Sequence, residues 1–268
     1  MKIITLLSDF GDSEYPAMMK GVILRIDPEI DMIDITHGIS PQNVIEGSFV
    51  LRNAVKYFPE GTVHLAVVDP GVGGDRKPIV IRCRRGILVG PDNGLLVPAS
   101  ELLEPVAVYE ITNTEFMLSE LSATFHGRDI FAPAAAHLSA DPDSIHRIGP
   151  KLEVQPVKLD IPEPVIDADS ITGTIMHSDR FGNLVSNVDL EHFDDIAEKS
   201  TAGSELELTI MGKNHKLVYR THYSEGKTEE MICLISSSGH LELAVPNGSA
   251  SDQTGARPGE RFKIAIKR

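Results

Sequence analysis

The stretch that most restricts the fold is Thr62-Val63-His64-Leu65-Ala66-Val67-Val68, a nearly unbroken apolar run that ends at Asp69-Pro70-Gly71. A strand with one wet face alternates apolar and polar residues. A run apolar at successive positions is a strand covered on both faces, as in a largely parallel sheet with helices on either side. The flanking segments fit that reading. Lys2 to Leu7 and Asp31 to Ile35 read as strands, with others at Ile79 to Arg82, Ile87 to Val89 and Val106 to Ile111. Between them stand helix signals. Pro16 opens a helix in which Met18, Val22 and Ile26 form the apolar repeat, and Asp27-Pro28 stops it. Ser40 reads as the N-cap of a second helix with Pro41 at its first position. Val44, Leu51, Val55 and Phe58 give it an apolar face, and Pro59-Glu60-Gly61 ends it. A third helix spans Arg128 to Leu138, with Pro133 either in its first turn or kinking it.

The pattern changes after Gly149. Pro150, Pro156, Pro162 and Pro164 exclude a regular helix and mark an extended surface linker. From Ile171 onward the sequence is strand-like, with candidates at Ser204 to Met211, His215 to Tyr219, Met231 to Ser236, Leu241 to Val245 and Arg261 to Ile266, separated by turns such as Gly212-Lys213-Asn214. These signals predict an α/β N-terminal domain with a largely parallel sheet over 1–150, a linker over 151–170, and a small antiparallel β-barrel or sandwich over 171–268.

Charge narrows the partners. With 25 Lys+Arg against 39 Asp+Glu the net charge is −14, which argues against a polyanion surface and is compatible with a small cationic ligand. Trp is absent and aromatic residues make up 5% of the chain, so stacking platforms for nucleic-acid bases are scarce. No nucleic-acid partner is expected. The two cysteines, Cys83 and Cys233, cannot form a disulfide framework and lack zinc-type spacing, and no HExxH pattern occurs; no metal is expected. The start of the chain reaches Asp9 too early for a signal peptide, and no apolar run approaches the ~18 residues of a membrane span. No membrane association is expected, and a cytoplasmic setting is.

Asp9 and Asp69 stand just past two predicted strand ends, the edge where open α/β sheets bind ligands. Capping a turn is the commoner task for such a residue. The loop Asp69-Pro70-Gly71-Val72-Gly73-Gly74-Asp75-Arg76 can fold back so that its acid and base meet, and it matches neither the P-loop nor the dinucleotide fingerprint. His126, in Phe125-His126-Gly127-Arg128-Asp129, sits at a loop-to-helix junction, where it can exchange or orient a proton. In the β half, Asp179-Arg180-Phe181-Gly182-Asn183 and Ser236-Ser237-Ser238-Gly239 read first as polar turns, although Phe and Asn together offer a stacking face and amide hydrogen bonds to a planar ring.

Taken in order, Ser8-Asp9-Phe10-Gly11, Met19-Lys20-Gly21-Val22, Val68-Asp69-Pro70-Gly71-Val72-Gly73 with Arg76, Gly90-Pro91-Asp92-Asn93-Gly94-Leu95, Phe125-His126-Gly127-Arg128-Asp129 with Phe131-Ala132-Pro133, and Phe181-Gly182-Asn183 resemble the S-adenosylmethionine hydroxide adenosyltransferases, relatives of fluorinase and chlorinase. The resemblance runs almost the whole chain. It implies an α/β domain followed by a β-barrel and a homotrimer with its active site at the subunit interface. The implied reaction is S-adenosylmethionine plus water giving adenosine and L-methionine, with no cofactor.

The same resemblance implies a catalytic trio of Asp69, Arg76 and His126, and substrate contacts at Asp9 for the ribose, Phe181 and Asn183 for adenine, Asp179 and Ser237 for the methionine end, and Glu14 and Asn93. Glu14 stands where an Asp is usual, and Ser238 where halogenases carry Arg. The chemistry is consistent with the trio. A sulfonium leaves as a neutral thioether and needs no acid, so the difficulty is obtaining a hydroxide-like nucleophile from water of pKa about 15.7. Halide transfer is disfavoured by a carboxylate beside the nucleophile site, and a non-catalytic nucleoside sensor by the intact trio.

Overall fold

The computed structural model describes residues 2–197 and 203–266. The chain divides into two compact units, Met1–Leu159 and Asp160–Arg268, each with its own apolar core.

The first unit is built on a six-stranded sheet of β1 (Ile3–Ser8), β2 (Asp31–Thr36), β3 (Thr62–Val67), β4 (Pro78–Cys83), β5 (Gly86–Pro91) and β6 (Pro105–Glu110), in the order β2-β1-β3-β5-β4-β6. Every residue of β3 is buried, as its unbroken apolar run requires. Val63, Leu65 and Val67 enter one core, Ala66 and the following Val68 the other, so alternate side chains feed opposite faces. The first core lies under α1 (Tyr15–Ile26) and α4 (Ala132–Ala140), the second under α2 (Val44–Val55) and the short α3 (Val97–Leu102). The pairs β1/β2, β1/β3 and β3/β5 are parallel, while β4 runs antiparallel to both β5 and β6. This is the mostly parallel sheet expected from the sequence.

Three local readings change. On α1 the buried positions are Pro16, Met19, Val22 and Ile23, with Ile26 packed against them, whereas Met18 is exposed; the stripe combines i+3 and i+4 steps. Ser40 and Pro41 form a turn ahead of α2, and Asn43 is its N-cap, accepting from the backbone N–H of Glu46 at 3.0 Å. Gln42 between them sits at φ 64°, outside helical space. The third helix begins as a π-turn, Gly127–Phe131, and becomes α-helical at Ala132, so Pro133 falls in the first α turn, and the carbonyl of Asp129 four residues back accepts from Leu118 N–H at 2.8 Å.

The second unit contains β7 (Val165–Asp167), β8 (Ser170–Ser178), β9 (Leu184–Asp189), β10 (Glu205–Ile210), β11 (Lys213–Tyr219), β12 (Ile232–Ile235), β13 (His240–Ala244) and β14 (Arg261–Ile266), with short helices α5 (Leu190–Ala197) and α6 (Ala250–Thr254). The order β14-β10-β11-β12-β13-β9-β8 closes through the β14/β8 pairing into a seven-stranded barrel, with β7 alongside β8. Glu205–Ile210 alternates exposed and buried, placing Leu206, Leu208 and Ile210 in the barrel core with Phe262 and Ile264. One pair, β11/β12, is parallel, because residues 220–231 cross over instead of turning back in a hairpin; the barrel is therefore mixed. The β10/β11 hairpin turns on Met211 and Gly212 alone, both at positive φ, so β11 starts two residues earlier than its apolar pattern suggests.

Candidate active site

Parallel strands bring the C-terminal ends of β1, β3 and β5 to one edge of the sheet, and antiparallel β4 begins at that edge, with Pro78 opposite Pro91. Asp9 follows β1, Asp69 lies two residues beyond β3, and Arg76 lies two residues before β4. The connection between the last two is a pair of tight turns, closed by Val72 N–H to Asp69 O at 3.2 Å and Gly74 N–H to Gly71 O at 3.0 Å. Gly73 has φ 77°, and a Cβ there would stand 2.3 Å from the carbonyl oxygen of Ala123. Only glycine lets this loop pack against the segment that carries His126.

The result is a contiguous trio. Arg76 donates from Nε to both Asp69 carboxylate oxygens at 3.0 Å and from Nη2 to Oδ2 at 2.5 Å. The same Nη2 is 2.7 Å from His126 Nδ1. A guanidinium has no acceptor, so Nδ1 accepts and the neutral ring carries its proton on Nε2. The Arg76 and Asp69 side chains are only 10% and 5% exposed, and the guanidinium lies 5.2 Å from the centre of the Phe131 ring. Burial, reinforced by the Arg76 charge, holds the His126 imidazole below its ordinary pKa of 6.5 against the opposing pull of Asp69 and Asp129. Asp129 is fully buried and fixes the loop before the helix, accepting from Arg128 Nε at 2.6 Å and from the Ser122 N–H at 2.7 Å.

Asp9, Asp69 and His126 line one cleft of about 260 Å³ together with Gln42, Thr124 and Phe125. Arg76 does not line it but contacts Asp69 and His126, which do. Asp9 Oδ2 accepts from the backbone N–H of Gln42 at 2.8 Å. In the barrel unit, Asp179, Phe181 and Asn183 line a second cavity of about 540 Å³, with Tyr223, Pro246 and Asn247. Asp179 shapes this turn: Oδ1 accepts from the N–H groups of Phe181 and Asn183 at 2.8 and 2.9 Å, and Oδ2 from Asn183 Nδ2 at 2.9 Å. Phe181 is 77% exposed. Tyr223 donates to buried Glu242 at 2.5 Å; burial pushes both groups' pKa up, and the contact drives the phenol's higher still.

Glu14, Asn93 and Ser237 line neither cavity. Glu14 is exposed at the N-cap of α1, and Ser237 is exposed in the β12/β13 turn. The Asn93 amide donates to Val68 O at 2.8 Å and accepts from Leu95 N–H at 3.2 Å, bracing the end of β3. Gln42, Thr124 and Tyr223 carry no signal in the sequence, whereas Asn247-Gly248 is a turn dipeptide that pattern reading can find.

The sequence pattern of the SAM hydroxide adenosyltransferase N-terminal domain matches residues 4–149, and that of the C-terminal domain matches residues 173–263. The chain belongs to the SAM hydroxide adenosyltransferase family. Relatives of this chain include an (R)-S-adenosyl-L-methionine hydrolase of Salinispora tropica, 36% identical over 97% of each chain, and a fluorinase of an Actinoplanes species, 27% identical over 90% of each. An uncharacterised conserved protein of Thermotoga maritima of known crystal structure shares the fold with a TM-score of 0.90 and 35% identity, covering 98% of this chain and all of that one.

Proposed function

We propose that this protein hydrolyses (R)-S-adenosyl-L-methionine to adenosine and L-methionine. The observation that carries the reading is the hydrogen-bonded chain Asp69–Arg76–His126 on the wall of a cleft that also holds Asp9. A water oxygen forms a bond to C5′ of the ribose as the C5′–S bond breaks. The bonding pair stays on sulfur, neutral methionine departs, and the water's second proton is released. His126 Nε2–H orients the water as a donor, Asp69 accepts its proton, and the Arg76 charge favours the oxyanion that develops.

Asp9 takes the ribose hydroxyls, Phe181 and Asn183 the adenine, and Asp179 with Ser237 the methionine end, with Glu14 and Asn93 as further contacts. The α/β cleft, at about 260 Å³, falls below the roughly 300–1,000 Å³ that encloses a whole ligand of this class, while the aromatic and amide groups stand at the barrel cavity. In this reading the protein is a cytoplasmic homotrimer in which the cleft of one subunit and the barrel of a neighbour share each substrate molecule. The domains are 1–150 and 171–268 with a linker over 151–170, a division supported by the two matched spans. No cofactor takes part. Among the described residues, no helix is long and apolar enough to cross a membrane.

The purified protein is incubated with S-adenosylmethionine and the products are separated chromatographically. Adenosine and methionine in equal amounts are expected; their absence across a range of pH sinks the reading. The fluorinase relative makes a second reading specific, and a 5′-halogenated nucleoside formed in chloride or fluoride would favour it.

A further inference from the structure

A chain of side chains at the same sheet edge plays no part in the steps above. Ser8, the last residue of β1, is wholly buried, and its Oγ is 2.7 Å from His37 Nδ1. His37 Nε2 lies 3.1 Å from Asp34 Oδ1, and Asp34 Oδ2 is 2.5 Å from Lys20 Nζ on α1. Serine, histidine and aspartate in line suggest a nucleophile, but a hydroxyl with no accessible surface cannot attack a substrate.

What the chain does is bracket Asp9. On one side the His37 ring holds Ser8; on the other the His37 carbonyl accepts from Gly11 N–H at 2.7 Å. Ile39 N–H reaches Ser8 O at 3.4 Å, and Gln42 N–H reaches the Asp9 carboxylate itself at 2.8 Å. Gly11 at φ 61° and Gln42 at φ 64° are the bends that make these contacts possible. Segment 8–11 is thereby fastened to segment 37–42, and His37 is the residue that grips it through both side chain and main chain.

We propose that His37 is a positioning residue for Asp9, held in turn by Asp34 and Lys20, so that the Asp9 carboxylate is preset to receive the vicinal hydroxyls of a nucleoside ribose. The inference rests on the reading of the cleft as a nucleoside site. A preset carboxylate binds without a search through rotamers, so loss of the bracket weakens binding more than turnover.

The test compares His37→Ala with His37→Asn, whose amide offers a hydrogen-bonding atom where Nδ1 stood. Hydrogen exchange is followed at the Gly11 and Gln42 amides, together with kinetics on S-adenosylmethionine and competition by adenosine and 2′,3′-dideoxyadenosine. His37→Ala is expected to speed exchange at both amides and raise KM about tenfold with kcat within about twofold. It should also erase most of the preference for adenosine over the dideoxy compound, and His37→Asn should restore much of each. Unchanged exchange and KM would overturn the proposal. So would equal losses in kcat and in affinity for both nucleosides that Asn fails to repair. If the unaltered protein turns over no S-adenosylmethionine, the cleft reading fails, and the two amides still decide whether His37 holds Asp9.

Discussion

Asp69, Arg76 and His126 act as one electrostatic unit because a single guanidinium nitrogen touches both partners. The fork geometry matters more than the charge. Arg76→Lys keeps a cation but cannot span a carboxylate and an imidazole together, so kcat should fall about 100-fold or more while calorimetry still shows substrate binding. Near-normal turnover in that variant would remove Arg76 from the account. The His126 contact also sets a pH limit. Protonation turns Nδ1 into a donor facing a guanidinium, so the active form is the neutral one. Burial and Arg76 depress that pKa, and the acid limb of kcat/KM should accordingly lie below 6.5, with activity lost as pH falls through it. A limb above 6.5 would contradict this. Much of this scale was legible in the sequence: acid and base share one glycine-rich loop, the histidine stands in another motif, and the order of the motifs carries a family resemblance. The hydrogen-bond pattern was not legible, because it depends on Gly73 letting one loop pack against Ala123.

At the scale of elements, β3 shows what burial on both faces costs a polar residue. His64 is 1% exposed and shares a 2.8 Å hydrogen bond with Thr5 Oγ1 of β1, and burial lowers its pKa from 6.5 to about 4. A depressed histidine pKa favours the folded state fully above 6.5, and that advantage is lost as pH falls toward 4. The shift corresponds to about 3 kcal/mol. Denaturant unfolding at stepped pH should record the loss in the natural protein. His64→Asn, which offers Thr5 a partner without titrating, should flatten it; a parallel loss in both would place the titration elsewhere. The unbroken apolar run of β3 was plain in the sequence, whereas helix starts were not. Ser40-Pro41 has the composition of a cap, yet Gln42 at positive φ moves the start to Asn43, a conformation set by contact with Asp9 rather than by local propensity. The six-residue α3 leaves no periodic signal in the sequence because it is too short to show one.

For the whole molecule, the closed barrel illustrates what local pattern cannot supply. Strand alternation was visible, but the pairing of β14 with β8 and the parallel β11/β12 contact join residues far apart in sequence. The proposed assembly has a functional consequence. If each substrate spans two subunits, Asp69→Ala and Phe181→Ala, both impaired alone, should regain activity when unfolded together and refolded as mixed oligomers, since some interfaces then combine an intact cleft with an intact barrel. No recovery would argue for a site completed within one subunit. The central claim, attack by water at C5′, is tested most directly by turnover in ¹⁸O-labelled water with mass analysis of the nucleoside. The account predicts adenosine carrying one ¹⁸O in its 5′-hydroxyl and unlabelled methionine; a product without the label at that oxygen would contradict it.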